Sequence, residues 1–258
     1  MNDAILALVR RSDPDRFLTA LLAPADRRDA LLTLYAFDHE LARAPEVTRE
    51  PMLALIRLQW WREVVEGEPR RHEVATPLRA LLDDGSLRPP DLLPLIEARE
   101  QAVEEPLATL ADWRAWQWSG SGGLAVAAAR LLGAADPEAA RPWGAAYGAG
   151  ALLRDMPRLA ARRRCLLPLD LLAEQDLSPE AAMAEAGGPR VQAILARLAS
   201  EAQGWLRAAP ALRGPAAIAA LPGLLARRDL ARWPRVLRER PLGDRLAVIG
   251  AGLLRRVG

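Results

Sequence analysis

Apolar residues recur at three- and four-residue spacing along almost the whole of this chain, and no other feature constrains its fold as strongly. That period gathers the apolar positions on one face of a helix, whereas the two-residue alternation of a half-buried strand is scarce. Residue usage points the same way: Ala, Leu, Arg and Glu dominate, and the β-favouring Val, Ile, Thr and Tyr are few. The spacing predicts helices over about 14–43, 51–67, 76–84, 90–105, 108–132, 137–160, 168–173, 178–186, 189–208, 214–228 and 243–256. Several boundaries carry their own chemistry. Pro51 suits a first helical turn, Gly133 a helix end, and Asp136-Pro137-Glu138 and Ser178-Pro179-Glu180 each place a capping side chain before a first-turn proline. No period of 20–50 residues recurs, which excludes a helical solenoid. The expectation is an all-α protein with one domain over residues 1–258.

Charge and sulfur narrow the chemistry. The 35 basic and 33 acidic residues leave a net charge of +2, so no strong field marks a nucleic-acid binder. Every basic residue is Arg, which excludes a Schiff-base lysine and a Walker-type phosphate loop. One cysteine, Cys165, and two histidines, His39 and His72, exclude an internal disulfide and the common zinc motifs. The arginine beside Cys165 would lower a thiol pKa, but no base accompanies it, so it reads as a small apolar side chain. Arg10-Arg11 follow the first apolar stretch instead of preceding it, unlike a signal peptide. No uncharged apolar run reaches the roughly 18 residues of a membrane span. The expected setting is the reducing cytoplasm, with peripheral contact at the inner membrane open to it.

Other features have two readings. The runs Gly120–Ala129 and Trp143–Ala151 are rich in small residues inside helical context, and they suit close helix packing as well as the wall of a ligand cavity. Trp113, Trp116, Trp118, Trp60 and Trp61 read as core before interface. Glu97, Glu100 and Glu104 form one helical stripe, read as a solvated face, and Glu46 and Glu50 pair at i,i+4. The segment Asp244–Val257 gathers Leu246, Ile249, Gly250, Leu253 and Leu254 on one side and ends in Arg255-Arg256; it either closes the helical domain or lies on a membrane surface.

Four stretches, in order, resemble the squalene/phytoene synthase family of all-α head-to-head prenyltransferases. They are Arg16–Pro24 with Leu34-Tyr35-Ala36-Phe37, then Leu58–Glu63 around Trp60-Trp61-Arg62, then Gly120–Leu132, and finally Arg154-Asp155 followed by Arg162-Arg163-Arg164-Cys165-Leu166-Leu167-Pro168. The match spans roughly residues 14–175. The resemblance implies an isoprenoid-synthase-type helical bundle around a central cavity. It also implies two aspartate-rich helices that hold Mg²⁺ against substrate diphosphates, since carboxylates at i,i+4 share one helical face.

Those acids are largely missing. After Tyr35-Ala36-Phe37 the family has two adjacent aspartates where this chain has Ala42 and Arg43, with Glu46 alone in register and Glu40 nearby. In the second motif Asp155 remains, but its partner position is Leu159 and the preceding one is Arg158. The chain is more similar still to a catalytically degenerate branch of the family that includes a mitochondrial complex I assembly factor. The expected role is therefore non-catalytic, with no cofactor: an assembly or binding factor for a respiratory-complex subunit or assembly protein, with an isoprenoid or lipid tail as ligand. The alternative is a divergent Mg²⁺-dependent prenyltransferase, with Asp155, Glu46 and Glu40 as its metal-side acids. Arg154, Arg162, Arg163 and Arg164 are the expected anion-binding residues, because guanidinium binds phosphate without a metal.

Overall fold

The structure, a computed structural model, describes residues 2–48, 50–104, 106–235 and 239–258. Among these, helices account for nearly all regular structure. They are α1 (Asp3–Ser12), α2 (Pro14–Ala20), α3 (Ala25–Arg43), α4 (Pro51–Glu66), α5 (Ala75–Asp83), α6 (Pro89–Glu104) and α7 (Leu110–Ser119). After these come α8 (Ser121–Leu131), α9 (Arg141–Ala161), α10 (Leu169–Ala173), α11 (Pro179–Ala184), α12 (Pro189–Ala208), α13 (Pro215–Arg232) and α14 (Leu242–Leu253). The only sheet among the described residues is a two-residue antiparallel ribbon, β1 (Leu212–Arg213) with β2 (Arg256–Val257).

Boundaries differ from the periodicity where backbone chemistry intervenes. The expected helix 14–43 breaks before α3 because Pro24 is extended (φ −50°, ψ 142°). The expected helix 108–132 breaks at Gly120, whose φ and ψ of −72° and −88° are not helical. Helix α1 was not foreseen, yet Asn2 caps it through its side chain and Ile5, Leu8 and Val9 bury its inner face. Residue 105, the last of the expected helix 90–105, lies outside the described residues.

At the centre, α9 packs against α8, α12 and α13. The small-residue runs are what let it do so. A Cβ on Gly144 would stand 2.5 Å from both the Ala125 Cβ and the Ser121 carbonyl oxygen of α8, and one on Gly223 of α13 would stand 2.7 Å from the Trp143 carbonyl oxygen. Of the two readings of these runs, close helix packing is the one observed there. Trp143 is fully buried and its indole N–H donates to the Pro210 carbonyl at 3.1 Å. Trp61, Trp113 and Trp116 are also core residues, whereas Trp118 is 41% exposed. Within the Glu97, Glu100 and Glu104 stripe, Glu97 and Glu104 are exposed as a solvated face requires, whereas the half-buried Glu100 accepts from Arg62 of α4 at 2.6 Å.

Candidate functional site

Of the acids and arginines singled out by the sequence, Glu46 and Arg162 meet where the end of α3 faces the end of α9, and Arg154 joins acids of α2 and α13 deeper in. Helix α3 stops at Arg43, and the chain turns through Ala44-Pro45-Glu46, where the Glu46 amide bonds the Arg43 carbonyl at 2.8 Å. Glu46 there accepts from Arg158 Nη2 at 2.8 Å and lies 2.6 Å from Arg162 Nη1. Both arginines come from the end of α9 or just beyond it. Glu40 is held by Arg43 at 3.0 Å on its own helix.

Deeper in, charge is paired far more completely. Asp15, 7% exposed, accepts from Arg154 Nη1 at 3.1 Å and from Arg240 Nη2 at 2.7 Å. The same two guanidiniums also reach Asp229 of α13, Arg154 at 3.2 Å and Arg240 at 2.6 Å. Asp15, Arg154, Asp229 and Arg240 thus close a ring of two anions and two cations. The Tyr147 hydroxyl donates to Asp13 or Asp15 at 3.3–3.4 Å, and its ring lies under Arg16 and Arg154, with 4.9 and 5.9 Å from ring centre to guanidinium carbon. Arg16 continues the chain to Asp13 at 3.3 Å and to Asp38 at 2.9 Å, and Arg99 of α6 donates to Asp38 at 3.1 Å.

Proton affinities follow from this packing. Burial pushes the Asp38 carboxyl up, but Arg99 and Arg16 overcome it and hold the group below the usual carboxylate range. At Asp15 burial wins over Arg154 and Tyr147, and the carboxyl is raised. Asp229 is pushed up to about 6 by desolvation, helped by the nearby Asp15 and Asp244 and opposed by Arg154. Tyr35, fully buried nearby, is pushed up to about 12, again by desolvation.

The expected anion-binding arginines therefore differ in availability. Arg154 is spent in the ring and Arg162 on Glu46. Arg163 sits in the left-handed turn after α9, at φ 54°. Arg164 has no ion pair among the described residues, and desolvation together with Arg99 and Arg162 lowers its pKa to about 10. Asp155 lies at the helix surface, also without an ion pair among the described residues, and partial desolvation raises its carboxyl. Cys165 packs partly buried against the core, in line with its reading as a small apolar side chain, and burial pushes its thiol up.

Sequence reasoning missed Asp13, Asp15, Asp38, Asp229, Arg16, Arg99, Arg240 and Tyr147. One signal was available. Asp38 follows the buried Phe37 in a helix whose Leu34, Leu41 and neighbours are all core, so its carboxylate had to point inward.

This donor set does not fit Mg²⁺. The ion takes water and carboxylate oxygens in near-octahedral array. Here Glu46 is covered by two guanidiniums, and no group of three or more potential ligands converges among the described residues. The crevice beside the ring, between Arg154, Asp229 and Trp233, is small, about 10 Å³, which is roughly the space of one water.

An all-α bundle whose α3 end faces the α9 end is the architecture of an isoprenoid synthase, here with arginine–carboxylate pairs at the facing positions. The chain belongs to the squalene/phytoene synthase family, whose sequence profile matches residues 9–241. Among curated relatives it is 26% identical over 228 residues to "NADH dehydrogenase (ubiquinone) complex I, assembly factor 6" of Homo sapiens, covering 85% of this chain and 68% of that protein. The Drosophila melanogaster homolog of that factor is 26% identical over 192 residues, covering 68% of this chain and 56% of its own. Among solved structures, a dehydrosqualene synthase superposes with a TM-score of 0.73 at 11% identity, covering 97% of this chain and 94% of that one. Squalene synthase HpnC from Alicyclobacillus acidocaldarius gives 0.68 at 19% identity, covering 89% and 91%. At these identities the structural likeness speaks for the fold alone.

Proposed function

We propose that this protein is a non-catalytic member of its family that serves respiratory complex I biogenesis as an assembly or binding factor. One observation carries the reading. Where the family's acids would face each other across bound metal, Arg158 and Arg162 grip Glu46 directly, and Arg154 is closed into a neutral ring with Asp15, Asp229 and Arg240. A diphosphate would have to displace buried carboxylates to reach Arg154, which forfeits short charge-assisted bonds in a low-dielectric setting. The curated relatives supply the role, because they are named as assembly factors of that complex. The partner on this reading is a subunit or assembly protein of that complex. The glycines Gly144, Gly148 and Gly223 serve close helix packing.

The test is genetic. Removing the protein from its own host should lower the amount of fully assembled NADH dehydrogenase on native gels, and the wild-type chain should restore it. An Asp155→Ala variant should restore it equally well. Normal assembly without the protein would refute the assembly role, and failure of the Asp155→Ala variant to rescue, with the protein still folded, would favour the prenyltransferase alternative.

A further inference from the structure

Helix α14 is anchored on one side only. Its buried residues are Asp244, Val248 and Gly252, four apart along one face. Asp244 accepts from Arg228 Nε at 2.6 Å and from Arg232 Nη1 at 2.8 Å, which ties the helix to α13. A Cβ on Gly252 would stand 2.5 Å from Leu22 Cδ1, so the helix is pressed against the segment that follows α2. At about 100° per residue, Leu242, Leu246, Ile249 and Leu253 share one stripe turned away from that contact. Leu242, Leu246 and Leu253 are 71%, 57% and 74% exposed, and Leu254 at the helix end is 78% exposed. A solvated helix face normally carries polar side chains; this stripe carries none.

The exposed charges on α14 and the segment that follows it are basic. From Arg240 to Gly258 the only acid is Asp244, which is buried and paired. Arg245, Arg255 and Arg256 are exposed, and the β1–β2 ribbon sets Arg213 opposite Arg256. None of these four arginines has an ion pair among the described residues, whereas most arginines elsewhere in the fold do. Self-association through this face would bring like charges together. An apolar stripe flanked by free guanidiniums is complementary to acyl chains beneath anionic headgroups, where phosphate oxygens accept bidentate bonds from arginine.

We propose that α14 docks this protein on the surface of an anionic lipid bilayer. The Leu242, Leu246, Ile249 and Leu253 stripe enters the headgroup–acyl boundary, and Arg213, Arg245, Arg255 and Arg256 bind lipid phosphates. The helix lies in the plane of the interface, since no helix among the described residues is long and apolar enough to cross a membrane. The inference rests on the two faces of α14 and is independent of the assembly role.

Co-sedimentation of the full chain with vesicles tests it. Binding is expected to vesicles of three parts phosphatidylcholine to one part phosphatidylglycerol, and at least about tenfold weaker binding to phosphatidylcholine alone. Arg255→Gln with Arg256→Gln should weaken binding to the mixed vesicles by about 25-fold, roughly fivefold per arginine, and leave the neutral vesicles unaffected. Leu246→Gln with Leu253→Gln should abolish binding to the mixed vesicles while the thermal melt stays unchanged, because both side chains are exposed in the wild type. Absence of wild-type binding, or undiminished binding by the leucine variant, would overturn the proposal. So would a dimer in sedimentation velocity that the leucine variant dissolves without any vesicle binding, which would assign the stripe to a second copy of the chain.

Discussion

Arg158 Nη2 lies 2.8 Å from Glu46 Oε2, joining the last turn of α9 directly to the turn that ends α3. These are the two places from which the family's enzymes present acids to shared metal ions. A cation on one side and an anion on the other do without the metal the link that two anions need it for. The facing ends of α3 and α9 thus stay tied together by protein groups alone.

Reversing one charge should restore the dependence on metal. In Arg158→Glu two carboxylates would face each other, with Asp155 close by, and their repulsion should be relieved by a divalent cation. The expected outcome is a thermal midpoint that rises with millimolar Mg²⁺ in the variant and does not move in the wild type, measured by differential scanning fluorimetry.

The rim pairs and the inner ring should differ in their worth. Arg158 is 55% exposed, so Arg158→Ala should cost less than about 1 kcal/mol. Arg240 and Asp15 are only 12% and 10% exposed at the side chain, and Arg240→Ala leaves Asp15 and Asp229 short of a buried counter-ion, at a cost of about 3 kcal/mol. Urea denaturation of the two variants checks the ranking, and equal losses would contradict it.

Much of the fold was legible because helical periodicity is a local signal. The span of α4, α6 and α12 follows from apolar spacing and first-turn prolines alone. The sequence also showed Ala42, Arg43, Arg158 and Leu159 at positions where the family's motifs carry acids. The inner ring was not legible. Asp15 and Arg240 are 225 residues apart in sequence, and only the packing of α2 against α13 and α14, which flank Arg240, brings them together. Asp13-Pro14-Asp15 reads locally as a helix cap, and Asp13 does cap α2 through the Arg16 amide, so the second aspartate's inward role was hidden behind the first one's ordinary one.

Arg164 should be a stability liability. Desolvated beside Arg99 and Arg162 with no carboxylate of its own, it keeps its charge at some cost, so Arg164→Met should raise the unfolding free energy by about 1 kcal/mol. A guanidinium chloride titration reads this directly. A loss of stability would mean that an anion or a partner group neutralises Arg164 in solution.

Acidity should act on the ring in a defined direction. The Asp229 carboxyl is raised to about 6, above its value of about 4 in an unfolded chain, so the folded protein holds that proton more tightly. Its contribution to stability is therefore greatest below pH 4 and falls as pH rises from about 4 to about 6. Asp38 and Asp244 are lowered and act oppositely: their contribution is present above about pH 4 and lost as pH falls through their depressed pKa values. Carbon-13 NMR of the carboxyl groups should place the Asp229 midpoint near 6, and Asp229→Asn should lessen the decline in stability between pH 4 and 6, leaving the part due to the raised carboxyls of Asp15 and Asp155.

The central claim is that internal ion pairs have taken the place of metal and diphosphate. It is tested most directly by incubating the protein with Mg²⁺ and farnesyl or geranylgeranyl diphosphate, beside an active squalene synthase, and measuring released diphosphate and hydrocarbon product. The account predicts neither above background from a fully folded chain. Turnover that disappears in Asp155→Ala would contradict it, and would show that the scattered acids still assemble a working site.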